Sequence, residues 1–273
     1  MVNWRAVKAI IRKDLKVVLQ NKGVSVPMMV VPLIILVALP ALAAFAPNLQ
    51  SVPGTPFAGL DNFIEGMPGG LRAELAGLNE AQTMIVLILV YILAPMFLIL
   101  PLMVASVIAA DSFAGEKERK TLEALLYTPT TDQELFLAKL LSAWLPALGV
   151  AWCGFVLYSV VANVAAWSTM GGVFFPNLMW VVLAVWVAPA VAGLGLGVTV
   201  LVSVRAQGFQ EAYQLGAVVV LPILLLLIGQ ATGVMYFSTW LVALLGLVFW
   251  VLDLLILWYG GRTFRRQRLA TQI

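Results

Sequence analysis

Few side chains here can do chemistry. The 273 residues include no histidine, one cysteine (Cys153), 13 acidic and 16 basic residues. A His-based nucleophilic triad, a His/Cys zinc site and an internal disulfide are therefore excluded. No Gly-x-x-x-x-Gly-Lys-Ser/Thr phosphate loop occurs in the chain. What remains is the chemistry of charge, densest in Asp111-Ser112-Phe113-Ala114-Gly115-Glu116-Lys117-Glu118-Arg119-Lys120-Thr121-Leu122-Glu123-Ala124-Leu125-Leu126-Tyr127-Thr128-Pro129. Residues Glu116–Tyr127 read as a helix, with Glu116 and Lys120 four apart in the favourable order and Arg119 with Glu123 in the reverse order. Leu122, Leu125 and Leu126 give it an apolar patch, and Pro129 ends it. Thr131-Asp132-Gln133-Glu134 then fits a capping box that opens a new helix running through Lys139. A two-faced helix of this kind pairs and docks rather than breaking bonds. The alternative reading is a solvated loop that only fixes topology.

The elements that position this segment follow from composition. With 62% hydrophobic and 11% charged residues and a mean hydropathy of +1.01, the chain has about half the charged share of a soluble domain. Too little polar surface is available to cover a globule in water, so the bilayer must be the solvent. Six apolar segments, Val24–Ala46, Thr83–Ala110, Glu134–Ala166, Leu178–Val204, Tyr213–Val234 and Thr239–Tyr259, each supply the ~20 residues a transmembrane helix needs. A re-entrant turn around Gly229–Trp240 is an alternative for the final pair. Pro32, Pro40, Pro95, Pro101, Pro146, Pro189 and Pro222 lie inside these segments, where bundle packing tolerates kinks. Ahead of them, residues 3–22 predict an amphipathic helix lying on the membrane. Trp4, Val7, Ile11, Leu15 and Val18 form its apolar stripe, and Arg5, Lys8, Arg12 and Lys16 a basic stripe suited to anionic headgroups. This start has neither the apolar core nor the cleavage site of a signal peptide.

Fifteen of the sixteen Lys and Arg residues fall on one side of this six-span arrangement, in the leading helix, the loop after span two, the loop after span four (Arg205) and the tail; only Arg72 falls on the other. The positive-inside rule then predicts an N-in/C-in protein. The extracytoplasmic loop 47–82 is rich in Gly and Pro, carries Asp61, Glu65, Glu74 and Glu80, and reads as solvated, with Leu71–Gln82 a short helix. Its spacing supports no metal site. Gly193-x-x-x-Gly197 predicts close helix approach. Asp253 is an intramembrane carboxyl, read as sitting near the inner interface with Arg262 or another cation. Asn163 and Gln230 read as interfacial, and Trp167, Trp180, Tyr236 and Trp240 as an outer aromatic belt.

The stretch Phe113 to Pro129, with Glu134 and Lys139-Leu140-Leu141, strongly resembles the permeases of ABC-2 type exporters, which carry a Glu-Lys-Glu-Arg, Thr-Leu-Glu, Leu-Leu, Pro series after the second span. The second inner loop, Ser203-Val204-Arg205-Ala206-Gln207-Gly208-Phe209-Gln210-Glu211-Ala212, is similar to the family's Ser, polar, Gln-Glu-Ala turn. Lys120 stands where family members often have glycine. The resemblance covers nearly the whole chain. It implies an all-α integral membrane protein, one permease domain over 1–273, with six transmembrane helices, an N-terminal amphipathic interfacial helix and a cytoplasmic coupling segment at 111–133. It also implies that Phe113, Glu116, Lys117, Glu118, Arg119, Thr121, Leu122, Glu123, Leu125, Leu126 and Pro129, with Arg205, Gln210 and Glu211 of the second loop, meet an ABC ATPase. Two permeases, identical or similar, and two cytoplasmic ATPase subunits would form the exporter in a prokaryotic inner membrane, among lipid and without nucleic acid. ATP and Mg would bind the ATPase, leaving this chain no catalytic residue, metal or cofactor. The rival readings are a secondary transporter or channel, which calls for deep charges in several spans; an intramembrane enzyme, which calls for paired acids or metal ligands; and a membrane anchor that uses ATP to signal or to extract lipid. Among the spans only Asp253 is such a charge. The cargo, whether drug, lipid, peptide, polysaccharide or sodium, is not written in the sequence.

Overall fold

The computed structural model of the chain describes residues 3–49, 72–73, 75–120, 131–232 and 234–263, and every regular element among them is helical. The first helix, α1 (Trp4–Gln20), is opened by Asn3, whose side-chain oxygen accepts from the Ala6 amide. Six longer helices follow: α2 (Val24–Ala43), α3 (Glu80–Glu118), α4 (Asp132–Ala165), α5 (Leu178–Ser203), α6 (Phe209–Ala231) and α7 (Thr239–Thr263). All six are long and apolar enough to cross a membrane. They coincide with the six apolar segments to within a few residues at most ends, the exceptions being the extensions of α3 and the earlier start of α6. Short connections, residues 204–208 and 232–238, join α5 to α6 and α6 to α7.

The expected helix over Leu71–Gln82 is not continuous. The chain turns at Ala76–Gly77, and α3 starts afresh at Glu80 behind a reciprocal cap between Asn79 and Gln82. The rest of the outer loop, residues 50–71 and 74, lies outside the described residues.

Three of these helices widen locally into four π turns, at Ile34–Ala38 in α2, Leu87–Ile92 and Asp111–Gly115 in α3, and Leu183–Val187 in α5. Three have a common cause. Pro40, Pro95 and Pro189 lack an N–H, so the carbonyl four residues earlier loses its helical donor. Those carbonyls belong to Leu36, Tyr91 and Val185, each inside a widened segment. The fourth, Asp111–Gly115, has no such proline and lies in the charged segment.

Helices α3 and α5 occupy the centre and pack along each other. Helix α4 covers α3, α7 covers α5, and α2 and α6 lie at the periphery with broad exposed apolar faces. Small residues set the close approaches. A Cβ at Gly195 would meet Leu102 and Ser106 of α3. Gly193 and Gly197 receive Asp253 and Ile256 of α7, the close packing that their spacing predicted.

At one end of the bundle four rings pack together: Tyr158 on Trp180 (centroids 4.7 Å apart), Phe175 on Trp180 (4.9 Å) and Phe97 on Trp180 (5.4 Å). Trp180 is therefore core, with no exposed surface, and Tyr236 is buried too. Trp167 and Trp240 are exposed, as a belt requires. The other end carries the charges.

Candidate functional site

A 39-residue α3 is about 58 Å long at 1.5 Å per residue, against about 30 Å of hydrocarbon. Its last turns therefore have no apolar solvent to bury in. They bury instead against polar side chains from α1 and α4.

Glu116, 4% exposed, lies between two cations. Lys139 of α4, fully buried, donates to Glu116 Oε2 at 2.5 Å, and Lys13 of α1 donates to Oε1. Lys139 also donates to the Ser112 carbonyl, inside the π turn, and sits 5.1 Å from the centre of the Phe113 ring. Asp14 of α1, 3% exposed, accepts from Ser112 Oγ (3.2 Å) and Ser142 Oγ (3.1 Å) and pairs with Lys13 at 3.1 Å. Two carboxylates and two ammonium groups thus balance in a cluster that joins α1, α3 and α4, with Asp14, Glu116 and Lys139 buried and Lys13 at its exposed edge. Burial works against the Lys13 ammonium, but Glu116 and Asp14 outweigh it and raise its pKa above the ordinary lysine value. The gain from that raised pKa is complete below the ordinary lysine pKa and is lost only as pH climbs through the higher folded value.

A second set of contacts ties the end of α3 to the α5–α6 connection. Lys117 donates to the Ala206 carbonyl at 3.2 Å, just past the end of α5. Glu118 accepts from the Phe209 amide at 2.9 Å, at the first turn of α6, where a carboxylate also meets the favourable end of the helix dipole. Gly208 permits this, since a Cβ there would collide with the Glu118 carboxylate. Phe209 and Tyr213 stack at 6.1 Å on the next turn. Arg205, Gln210 and Glu211 are exposed around this junction, with Glu211 accepting from the Gln207 amide at 2.8 Å. The two sequence segments with the most conspicuous polar motifs are therefore one surface.

The expected helix over Glu116–Tyr127 differs from what is found. Residues Glu116–Glu118 continue α3, and the chain turns at Arg119–Lys120, where Lys120 has φ +55°. The expected Glu116–Lys120 pair does not form, and the expected Arg119–Glu123 pair involves Glu123, which lies outside the described residues. Glu116 is taken by Lys13 and Lys139, and Arg119 folds back on Asp111 (2.9 Å) across Gly115. For Glu116, pairing with cations from two other helices won over the local i,i+4 pair. Thr121, Leu122, Glu123, Leu125, Leu126 and Pro129 lie outside the described residues. The capping box at Thr131 and Glu134 is present, and Glu134 reaches further, accepting from the Asn3 amide at 2.7 Å and so tying the start of α1 to α4.

Helix α1 has two apolar faces rather than one. Val7, Ile10 and Val18 are buried, with Val7 and Ile10 against Leu135 and Ala138 of α4, so Val7 and Val18 do not belong to a lipid-facing stripe. Trp4, Arg5, Lys8, Arg12 and Lys16 are exposed on the outward side. Asp14, Ser112 and Ser142 escaped the sequence reading. Asp14 left a signal: it recurs with Val7, Ile10 and Val18 at helical spacing, an acid on the buried face of a basic helix.

Three polar residues of the spans also acquire definite surroundings. Asp253 is 3% exposed and fills the Gly193 notch, and neither carboxyl oxygen has a partner among the described residues, outside which the Arg262 side chain lies. Gln230, one residue before the end of α6, is fully buried. Asn163 pins a loop, accepting from the Phe174 and Phe175 amides and donating to the Phe175 carbonyl. Among the described residues no acidic or cysteine cluster could hold a metal ion.

Compared with known proteins, the chain matches one family model, described as ABC-2 family transporter protein, over residues 8–243. No curated protein and no solved structure matches it.

Proposed function

This chain belongs to the ABC-2 family of transporter proteins, a multi-pass membrane permease, and from that premise we propose that it is the membrane half of an ATP-driven exporter. It pairs with a second permease, identical or similar, and with two separate ATPase subunits. ATP and Mg²⁺ bind those subunits, and this chain does no catalysis. Closure of the ATPase pair pushes on the segment 111–133, the push passes to α3 and α4, and cargo leaves by alternating access. Both termini and the charged end face the cytoplasm of a prokaryotic cell, because the basic residues concentrate there.

One observation carries the coupling part of this reading. Lys117 and Glu118 clamp the α5–α6 connection, while Glu116 and Ser112 hold α1 and α4. A push on the end of α3 therefore reaches α1, α4, α5 and α6 together.

The test is a membrane-impermeant thiol reagent on Lys120→Cys in a Cys153→Ser background. Labelling is expected in inside-out vesicles, with protection by the ATPase subunit. Labelling in intact cells, or full-speed transport by the chain alone without nucleotide, would overturn the proposal. A gradient-driven transporter is favoured by one observation, the unpartnered Asp253. That reading requires Asp253→Asn to abolish transport, whereas in the exporter reading the variant keeps nucleotide-dependent turnover.

A further inference from the structure

The outward face of α1 and the flank of α4 enclose a groove of about 610 Å³. Its floor is apolar: Ile11, Leu15 and Leu19 of α1, with Leu145 of α4. Its rim is cationic: Lys8, Arg12 and Lys16, one helical turn apart, none with a partner among the described residues and none faced by an acid in the groove lining. The buried face of the same helix is where the acids and their partners sit, so α1 separates paired charge from free charge. Helix α1 runs alongside α4, from Asn3 beside Glu134 to Asp14 beside Ser142, so cations and apolar residues alternate along the whole length of the groove.

We infer that this groove binds one anionic phospholipid, its phosphate on Lys8, Arg12 and Lys16 and an acyl chain along Ile11, Leu15, Leu19 and Leu145. The match is one of charge and of shape together. Three cations without a partner among the described residues call for an anion, and an apolar floor lying directly beside them calls for a chain attached to that anion. A soluble anion would leave the floor wet, and a second apolar helix would leave the cations unanswered. The inference rests on the reading that the charged end lies at a membrane interface, and it does not depend on the ATPase.

The experiment is native mass spectrometry of the full chain released from nanodiscs of phosphatidylcholine with a minor fraction of phosphatidylglycerol. Wild type should retain phosphatidylglycerol in preference, about one per chain. The Lys8→Gln/Arg12→Gln/Lys16→Gln variant should lose that preference by about 100-fold, at about a factor of 5 per cation. Leu15→Asn, with charge unchanged, should lower it several-fold, which a purely electrostatic attraction would not do. Lys22→Gln/Arg205→Gln, at the same end but outside the groove, should leave it intact. An unchanged preference in the triple variant overturns the inference. So does equal competition by soluble glycerophosphate, which would make the site one for free anions, or a Leu145→Cys disulfide between two copies, which would put a second chain in the groove. If lipid preference fails while ATPase stimulation by wild type persists, only the groove is lost; if labelling places the charged end outside the cell, the exporter reading falls with it.

Discussion

The two ends of the bundle use the same backbone device with opposite chemistry. At the aromatic end, the π turn Leu87–Ile92 presents the Leu89 and Val90 carbonyls, which accept from Tyr158 Oη (2.6 Å) and Trp180 Nε1 (2.7 Å). At the charged end, the π turn Asp111–Gly115 presents the Ser112 carbonyl, which accepts from Lys139. In the first case the donors are neutral, the rings stack on each other, and a proline causes the widening. In the second the donor is an ammonium, its other partner is a carboxylate, and no proline is needed. Neutral donors in a stacked cluster fix a geometry. Ion pairs spanning α1, α3 and α4 fix it too, but they can exchange partners at the place where the chain leaves the apolar region. The contrast suits a bundle gripped at one end and pushed at the other.

The contrast can be broken in several ways. Lys139→Met leaves the buried Glu116 carboxylate with Lys13 as its one remaining cation and should cost about 3 kcal/mol. Adding Glu116→Gln should recover much of that loss, read by thermal unfolding in detergent; no recovery would mean Lys139 acts by packing alone. Trp180→Phe keeps the ring but leaves the Val90 carbonyl without its donor, costing about 1–3 kcal/mol. That loss should be blind to Glu116→Gln, and a response would mean that the two ends of the bundle are energetically coupled. Glu118→Ala removes the carboxylate from the start of α6 and should cost about 0.5–1 kcal/mol. Faster hydrogen exchange at the Phe209 amide is its signature. The smallest effect is a gain: Lys120→Gly relieves the left-handed backbone at φ +55°, net about 0.5 kcal/mol after glycine's own entropic cost. A loss on chemical denaturation would contradict the strain.

The spans were legible because the bilayer demands ~20 apolar residues in a row, and that demand is local in sequence. The Gly193/Gly197 packing was legible for the same reason: small residues a turn apart mark one face. The capping box at Thr131 and Glu134 was read from four adjacent residues. The charged site was only half legible. Its residues from Phe113 to Arg119 stand out as a run, yet Lys13, Asp14, Lys139 and Ser142 are remote in sequence and meet Glu116 and Ser112 only after α1 and α4 have packed. Local pairing rules therefore assigned Glu116 to Lys120, and packing of α1 and α4 reassigned it to Lys13 and Lys139; Arg119 pairs with Asp111 within the same helix end, and Glu123 lies outside the described residues. The glycine that family members often carry at position 120 is explained by the left-handed turn found there. Trp180 was misread as a belt residue because a tryptophan near the end of a span looks the same whether it faces headgroups or neighbouring rings.

ATP hydrolysis by the co-reconstituted ATPase subunit, measured with wild-type, Glu118→Arg and Trp180→Phe permeases, addresses the coupling claim most directly. The account predicts that Glu118→Arg inserts normally but no longer stimulates hydrolysis, while Trp180→Phe, although less stable, stimulates as wild type does. Normal stimulation by Glu118→Arg, or equal losses in both variants, would contradict it.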